Sequence, residues 1–187
     1  MAKKTHKIYG VNSVMEALDA GRDFDKVMLR RDMGGKALKA LVEKLEAAHV
    51  PIQKVPDVRL KKETGGGDQH QGIVAFVSPI KYYRIEDVLM QLYEQGKTPF
   101  FVMPAGVTDM RNLGGIARSA EGMGAHAIIL SADGRTRVNA DALSTSAGAL
   151  QHLNVARVPE MLLGIEYLKE SGVQMIACDE RGETRLW

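Results

Sequence analysis

VTDMRNLGGIARSAEGMG, residues 107–124, has the apolar spacing of a helix and the composition of a poor one. Each of Gly114, Gly115 and Gly122 costs an interior helical position about 1 kcal/mol against alanine. At about 100° per residue from Arg111, the residues Leu113, Ile116, Ala117, Ala120 and Met123 fall in one half of the helix and form a core stripe. Gly114, Gly115, Arg118 and Gly122 cluster around Arg111 on the other half. Glycine on an exposed face brings no packing gain, so something must approach that face closely, beside two guanidinium groups. Two occupants satisfy this: a ligand or RNA phosphate, or a tightly packed second helix. The helix starts where the apolar run PFFVMPA ends, with Thr108 or Asp109 as N-cap, and open α/β sheets bind ligands at the carboxyl ends of their strands.

Working outward, strands are predicted at PFFVMPA, AHAIILSA, LNVARV and VQMIACD, separated by helices around 111–123, 140–149 and 160–171. Continuous apolar strands alternating with helices predict a parallel sheet covered on both faces. Upstream, IEDVLMQLYEQG reads as an amphipathic helix stopped by Gly96, and Pro79 with the polar KYYR reads as a junction. Before the junction, NSVMEALDA forms a helix capped by Asn12, DKVMLRR a strand, GKALKALVEKLEAAHV a helix, and PIQKVP and IVAFV further strands. The stretch DVRLKKETGGGDQHQG between the last two reads as a charged loop. The fold class is therefore α/β, with a small module over 1–79, a linker and helix over 80–98, and a parallel-sheet domain over 99–187.

Composition agrees with a globular chain of one or two cores: 187 residues, 45% hydrophobic and 26% charged, with a net charge of +2. The charge is uneven, with 14 Lys+Arg against 10 Asp+Glu in residues 1–80 and 11 against 13 thereafter, which permits a polyanionic partner for the first half. No apolar run approaches a membrane span and MAKKTHKIYG lacks an apolar stretch behind its lysines, so a cytoplasmic location is expected and no membrane. The single cysteine, Cys178, is expected to be a buried small residue, and no cluster of soft ligands suggests a metal.

VTDMRNLGGIARSAE resembles the first motif of the SpoU-type RNA ribose 2′-O-methyltransferases of the SPOUT superfamily. It carries Asp109, Asn112, Gly114, Ile116, Arg118 and Ala120 at the family's spacing. Met110 stands where proline is usual, Gly115 where alanine is, and Ser119 where threonine is. IYGVNSVMEAL and HQGIVAFV are similar to the family's RNA-binding module, and STSAGALQHLNVARV to a later part of the methyltransferase domain. The nearest subgroup methylates a guanosine ribose in 23S rRNA. The resemblance implies a Rossmann-like SPOUT domain behind the RNA-binding module, S-adenosylmethionine as methyl donor, no metal, and a homodimer for the full-length family. It implies Asn112 and Arg118 as catalytic residues. Because a guanidinium stays protonated in a protein, the role expected of Arg118 is to grip the phosphate beside the target and stabilise a developing alkoxide.

Two further family motifs, a glycine- and glutamate-bearing loop and a late serine–asparagine segment, do not occur in this chain. By resemblance, most of the cofactor pocket and the trefoil knot lie beyond these residues, and the chain by itself is expected to be inactive. The competing reading is a non-catalytic RNA-binding protein. RNA contacts are expected from Arg111 and from the charged loop, through Arg59, Lys61, Lys62, His70 and Gln71, with His70 holding the loop's shape. His126 and His152 read as structural, and Ser144, Thr145 and Ser146 as capping and packing groups.

Overall fold

The computed structural model describes residues 6–132 and 138–182. Two four-stranded sheets divide the chain. The first has the order β1-β4-β2-β3, built from β1 (Lys7–Tyr9), β2 (Phe24–Arg30), β3 (Ile52–Val55) and β4 (Ile73–Val77). β2 pairs parallel with β3, whereas β4 is antiparallel to both β1 and β2. Helices α1 (Val11–Asp19) and α2 (Lys36–Ala47) cover one face around Val14, Phe24, Val27, Leu41, Leu45 and Ile73. A third helix, α3 (Asp57–Glu63), covers the other through Leu60, which packs on Met28, Val74 and Phe76.

The second sheet is all parallel, in the order β5-β8-β7-β6: β5 (Tyr82–Arg84), β6 (Phe101–Val102), β7 (Ala127–Ser131) and β8 (Asn154–Val158). The unbroken apolar run of β7 follows from its double coverage. Ile128 and Leu130 face α5 (Met110–Gly122), α6 (Ala140–Thr145) and α7 (Ala149–His152). Ala127 and Ile129 face α4 (Ile85–Glu94), and Ile129 also faces α8 (Met161–Glu170).

Several expectations are corrected. The DVRLKKE part of the charged stretch is not loop but α3: Asp57 stands in its first turn and Lys61 and Lys62 in its last, charges that suit the helix dipole. The YYR of KYYR is a strand, β5, so the segment read as linker and helix adds β5 to the second sheet and packs α4 on it. The cap of α1 is Gly10, not Asn12. The helix expected over 140–149 is broken in two by Ala147 (φ 50°) and Gly148 (φ 97°).

VQMIACD is not a strand. Val173 and Met175 pack on the core while Gln174 and Ile176 point outward, a strand-like alternation without a hydrogen-bonded partner among the described residues. Cys178, on that segment, is exposed rather than buried.

Candidate functional site

α5 leaves the carboxyl end of β6 capped by Asp109, whose Oδ1 accepts the Arg111 backbone N–H at 2.9 Å. The Arg111 guanidinium folds back on the same carboxylate, with Nη2 3.0 Å from Oδ2. These hydrogen bonds hold the Asp109 carboxyl below its usual range. Arg111 is therefore already neutralised by its own cap.

The three glycines do not share one cause. Gly114 is buried: a Cβ there would collide with the Thr145 hydroxyl and the Ala142 carbonyl, and would stand 2.9 Å from the Ser146 N–H. That glycine exists for close packing of α6 on α5, so the second of the two occupants weighed from the sequence is the one that fills its position. Gly115 and Gly122 face open space. The exposed stripe that remains runs through Asn112, Gly115, Arg118 and Gly122, with Asn112 and Arg118 both exposed on either side of Gly115. Met123, assigned to the core stripe, is 75% exposed. The contact of α5 with α6 and α7 brings together the two sequence stretches that carry the family resemblance in this half.

On the first sheet, Arg59, Lys62 and Gln71 are exposed. Lys61 sits between two carboxylates, 2.9 Å from Asp68 and 3.3 Å from Asp57, and its hydrogen bond lowers the Asp68 pKa. His70 is 2% exposed, and its Nδ1 accepts the Gly72 N–H at 3.0 Å, so it shapes the turn into β4 from within. Asp57, Asp68 and His70 are the one group of metal-ligand side chains that converge among the described residues. With Nδ1 accepting a hydrogen bond, neutral His70 carries its proton on Nε2 and has no lone pair there for a metal. The Lys61 ammonium already supplies the positive charge between the carboxylates.

The remaining candidates are structural. His126 Nδ1 accepts the Phe100 N–H at 3.1 Å, fixing the start of β6. Ser146 is buried and donates to the Leu143 carbonyl, Thr145 donates to the Asp141 carbonyl, and Ser144 and His152 are exposed.

S-adenosylmethionine would need partners for a charged amino-acid end, a ribose and an adenine. Two of the concavities among the described residues bear on this. One of about 360 Å³ lies between β6 and α5, lined by Val102, Gly115, Ile116, Ala120 and Met123, with the Ser119 hydroxyl as its polar side chain. The other, about 600 Å³, lies at the amino end of β6 beside Lys97, Phe100 and Gly172, away from the strand ends where parallel sheets bind ligands. Neither donor set fits the cofactor.

Sequence reasoning missed Tyr82 and Arg157, which join the two sheets; a tyrosine placed in a junction and a lone arginine within an apolar strand were the available signals.

Residues 7–83 match the family described as RNA 2′-O ribose methyltransferase substrate binding, and residues 99–186 match the SpoU rRNA methylase family. The chain is 34% identical over 181 residues to the 23S rRNA (guanosine-2′-O-)-methyltransferase RlmB of Yersinia pestis, covering 96% of this chain and 73% of the relative. It is 31% identical over 169 residues to the tRNA/rRNA methyltransferase slr0955 of Synechocystis, spanning 43% of that protein. Among solved structures, the SpoU methyltransferase AviRb from Streptomyces viridochromogenes in complex with the cofactor AdoMet is 18% identical with a TM-score of 0.42, matching 89% of this chain and 58% of its own. With its substrate-binding module, methylase module and first-motif helix in sequence, the chain belongs to the SpoU (TrmH) family of RNA 2′-O-methyltransferases.

Proposed function

We propose that this chain is the RNA-holding part and the first catalytic helix of an enzyme that transfers a methyl group from S-adenosylmethionine to the ribose 2′-hydroxyl of a guanosine in 23S rRNA. The observation that carries this reading is the exposed pair Asn112 and Arg118 flanking the open space over Gly115, on a helix that starts at a strand's carboxyl end. A sugar-phosphate strand can approach that helix closely because Gly115 has no side chain in the way. Arg118 offers a planar fork to the phosphate next to the target, and a guanidinium near the 2′-oxygen favours the alkoxide. Asn112 can orient the hydroxyl through its amide. On the first sheet, exposed Arg59, Lys62 and Gln71 are the RNA contacts this reading assigns, with His70 acting through the turn it holds.

The reaction is tested by mass spectrometry of ribosomal RNA from cells with and without the gene. Loss of one 2′-O-methylguanosine from 23S rRNA is expected, and restoration by the wild-type gene but not by Arg118→Lys. An unchanged set of methylated riboses overturns the reading.

The second reading, an RNA-binding protein without chemistry, rests on the exposed Arg59, Lys62 and Gln71 of the first sheet, which would hold RNA whether or not methyl transfer follows. Calorimetric titration of the 187-residue chain with S-adenosylmethionine is expected to show no saturable heat; ordinary affinity would remove this reading.

A further inference from the structure

The place where the two sheets meet is built more tightly than a tether requires. Residues 23–25, at the entry to β2, hold Tyr82 and Arg157 of the second sheet. The Phe24 carbonyl accepts Arg157 Nη1 at 2.9 Å and Asp25 Oδ1 accepts the Tyr82 hydroxyl at 3.0 Å, while the Asp23 carboxyl stands beside the Tyr82 backbone. The Arg157 guanidinium carbon lies 3.5 Å from the centroid of the Tyr82 ring, a stacked cation–π contact. His49 adds a hydrogen bond from Nδ1 to the Arg157 carbonyl at 3.3 Å. Arg157 and Asp25 are 5% and 6% exposed, and charges so buried persist only where their partners are held in place.

The same hydroxyl reaches the second sheet's helices. Tyr82 Oη accepts the Val138 N–H at 3.5 Å, and the next residue, Asn139, caps α6 by accepting the Ala142 N–H at 2.9 Å. α6 in turn packs on Gly114 of α5 through Ala142 and Thr145. A continuous run of contacts therefore joins β2 of the substrate-binding module to the helix that carries Asn112 and Arg118.

We propose that Tyr82 and Arg157 are positioning residues: they lock the substrate-binding module to the α5–α6 pair, so that RNA held by the first sheet meets Asn112 and Arg118 at a fixed offset. The lock stands on the contacts alone, while the offset rests on the methyltransferase reading.

The lock is tested by ¹⁵N relaxation on the 187-residue chain. In the wild type, residues 7–77 and 85–170 are expected to share one rotational correlation time. In Arg157→Met, and in Tyr82→Phe combined with Asp25→Asn, the two halves should separate, each with a shorter time, and the amides at 114 and 142–146 should exchange faster. Tyr82→Phe alone removes one oxygen and keeps the ring, which guards against simple loss of the fold. Independent tumbling in the wild type, or one shared time in all the variants, overturns the lock. The offset is tested in cells whose gene carries Tyr82→Phe: methylation at the target ribose should fall about ten-fold or more at normal protein level. Unchanged methylation there overturns the positioning role even if deleting the gene abolishes the mark, whereas a deletion without effect overturns the methyltransferase reading and leaves the lock standing.

Discussion

Gly114 and Gly115 are neighbours with opposite environments, and substituting them separates packing from helix propensity. Alanine at 114 must push into Thr145 and the α6 backbone, so Gly114→Ala is expected to lower stability by about 1–3 kcal/mol in urea unfolding. Alanine at 115 meets open space and is expected to raise stability by up to about 1 kcal/mol. The sequence located this helix and its exposed arginine, yet gave all three glycines one explanation, because facing angles alone do not reveal which side a neighbouring helix occupies. Charge at single residues divides in the same way. Arg59 and Lys62 are exposed, whereas Lys61 is neutralised by Asp57 and Asp68. Arg59→Ala and Lys62→Ala should each weaken RNA binding across sequences and lower its salt slope by about 1, measured by fluorescence anisotropy from low to high salt. Lys61→Ala should change that slope least.

At the scale of elements, the helix–turn–helix of α6 and α7 shows where a composition signal fails. ADALSTSAGAL, residues 140–150, has four alanines and two leucines around one glycine, so its composition predicts a single helix. The chain instead takes two left-handed residues, Ala147 and Gly148, which stop α6 and turn α7 onto the sheet. A left-handed alanine carries about 1 kcal/mol or more of strain, so Ala147→Gly is expected to stabilise the protein by roughly that amount in thermal unfolding. The long helices and the doubly covered strands were legible because burial on both faces leaves an unbroken apolar run. The short strands β1 and β5 were not, since three residues are too few to show a period. α3 was hidden by its charge; its cue was the i, i+4 pair of Asp57 and Lys61 behind a proline.

For the molecule as a whole, the joint between the sheets should be visible in alkaline solution. Burial pushes the Tyr82 phenol up to about 12 from 10.0, with the neighbouring Arg157 charge opposing that rise. A group whose folded pKa is raised stabilises the fold fully below its unfolded value, and that contribution is lost as pH rises through the folded one. Between pH 10 and 12 the wild type is therefore expected to lose on the order of 2 kcal/mol that Tyr82→Phe does not lose, read from urea midpoints together with phenolate absorbance. No long-range pairing of this kind could be read from the chain, because Tyr82 and residues 23–25 are joined only by folding. β6 has its own consequence for handling. It is two residues long and is the last strand of its sheet among the described residues, and the adjoining Phe100 shares one concavity with Met123 and another with Ile176; the three are 42%, 75% and 69% exposed. A greasy ribbon margin of this sort invites self-adhesion on concentration, so light scattering by the 187-residue chain should climb steeply with protein concentration, and Phe100→Lys should keep the stock clear.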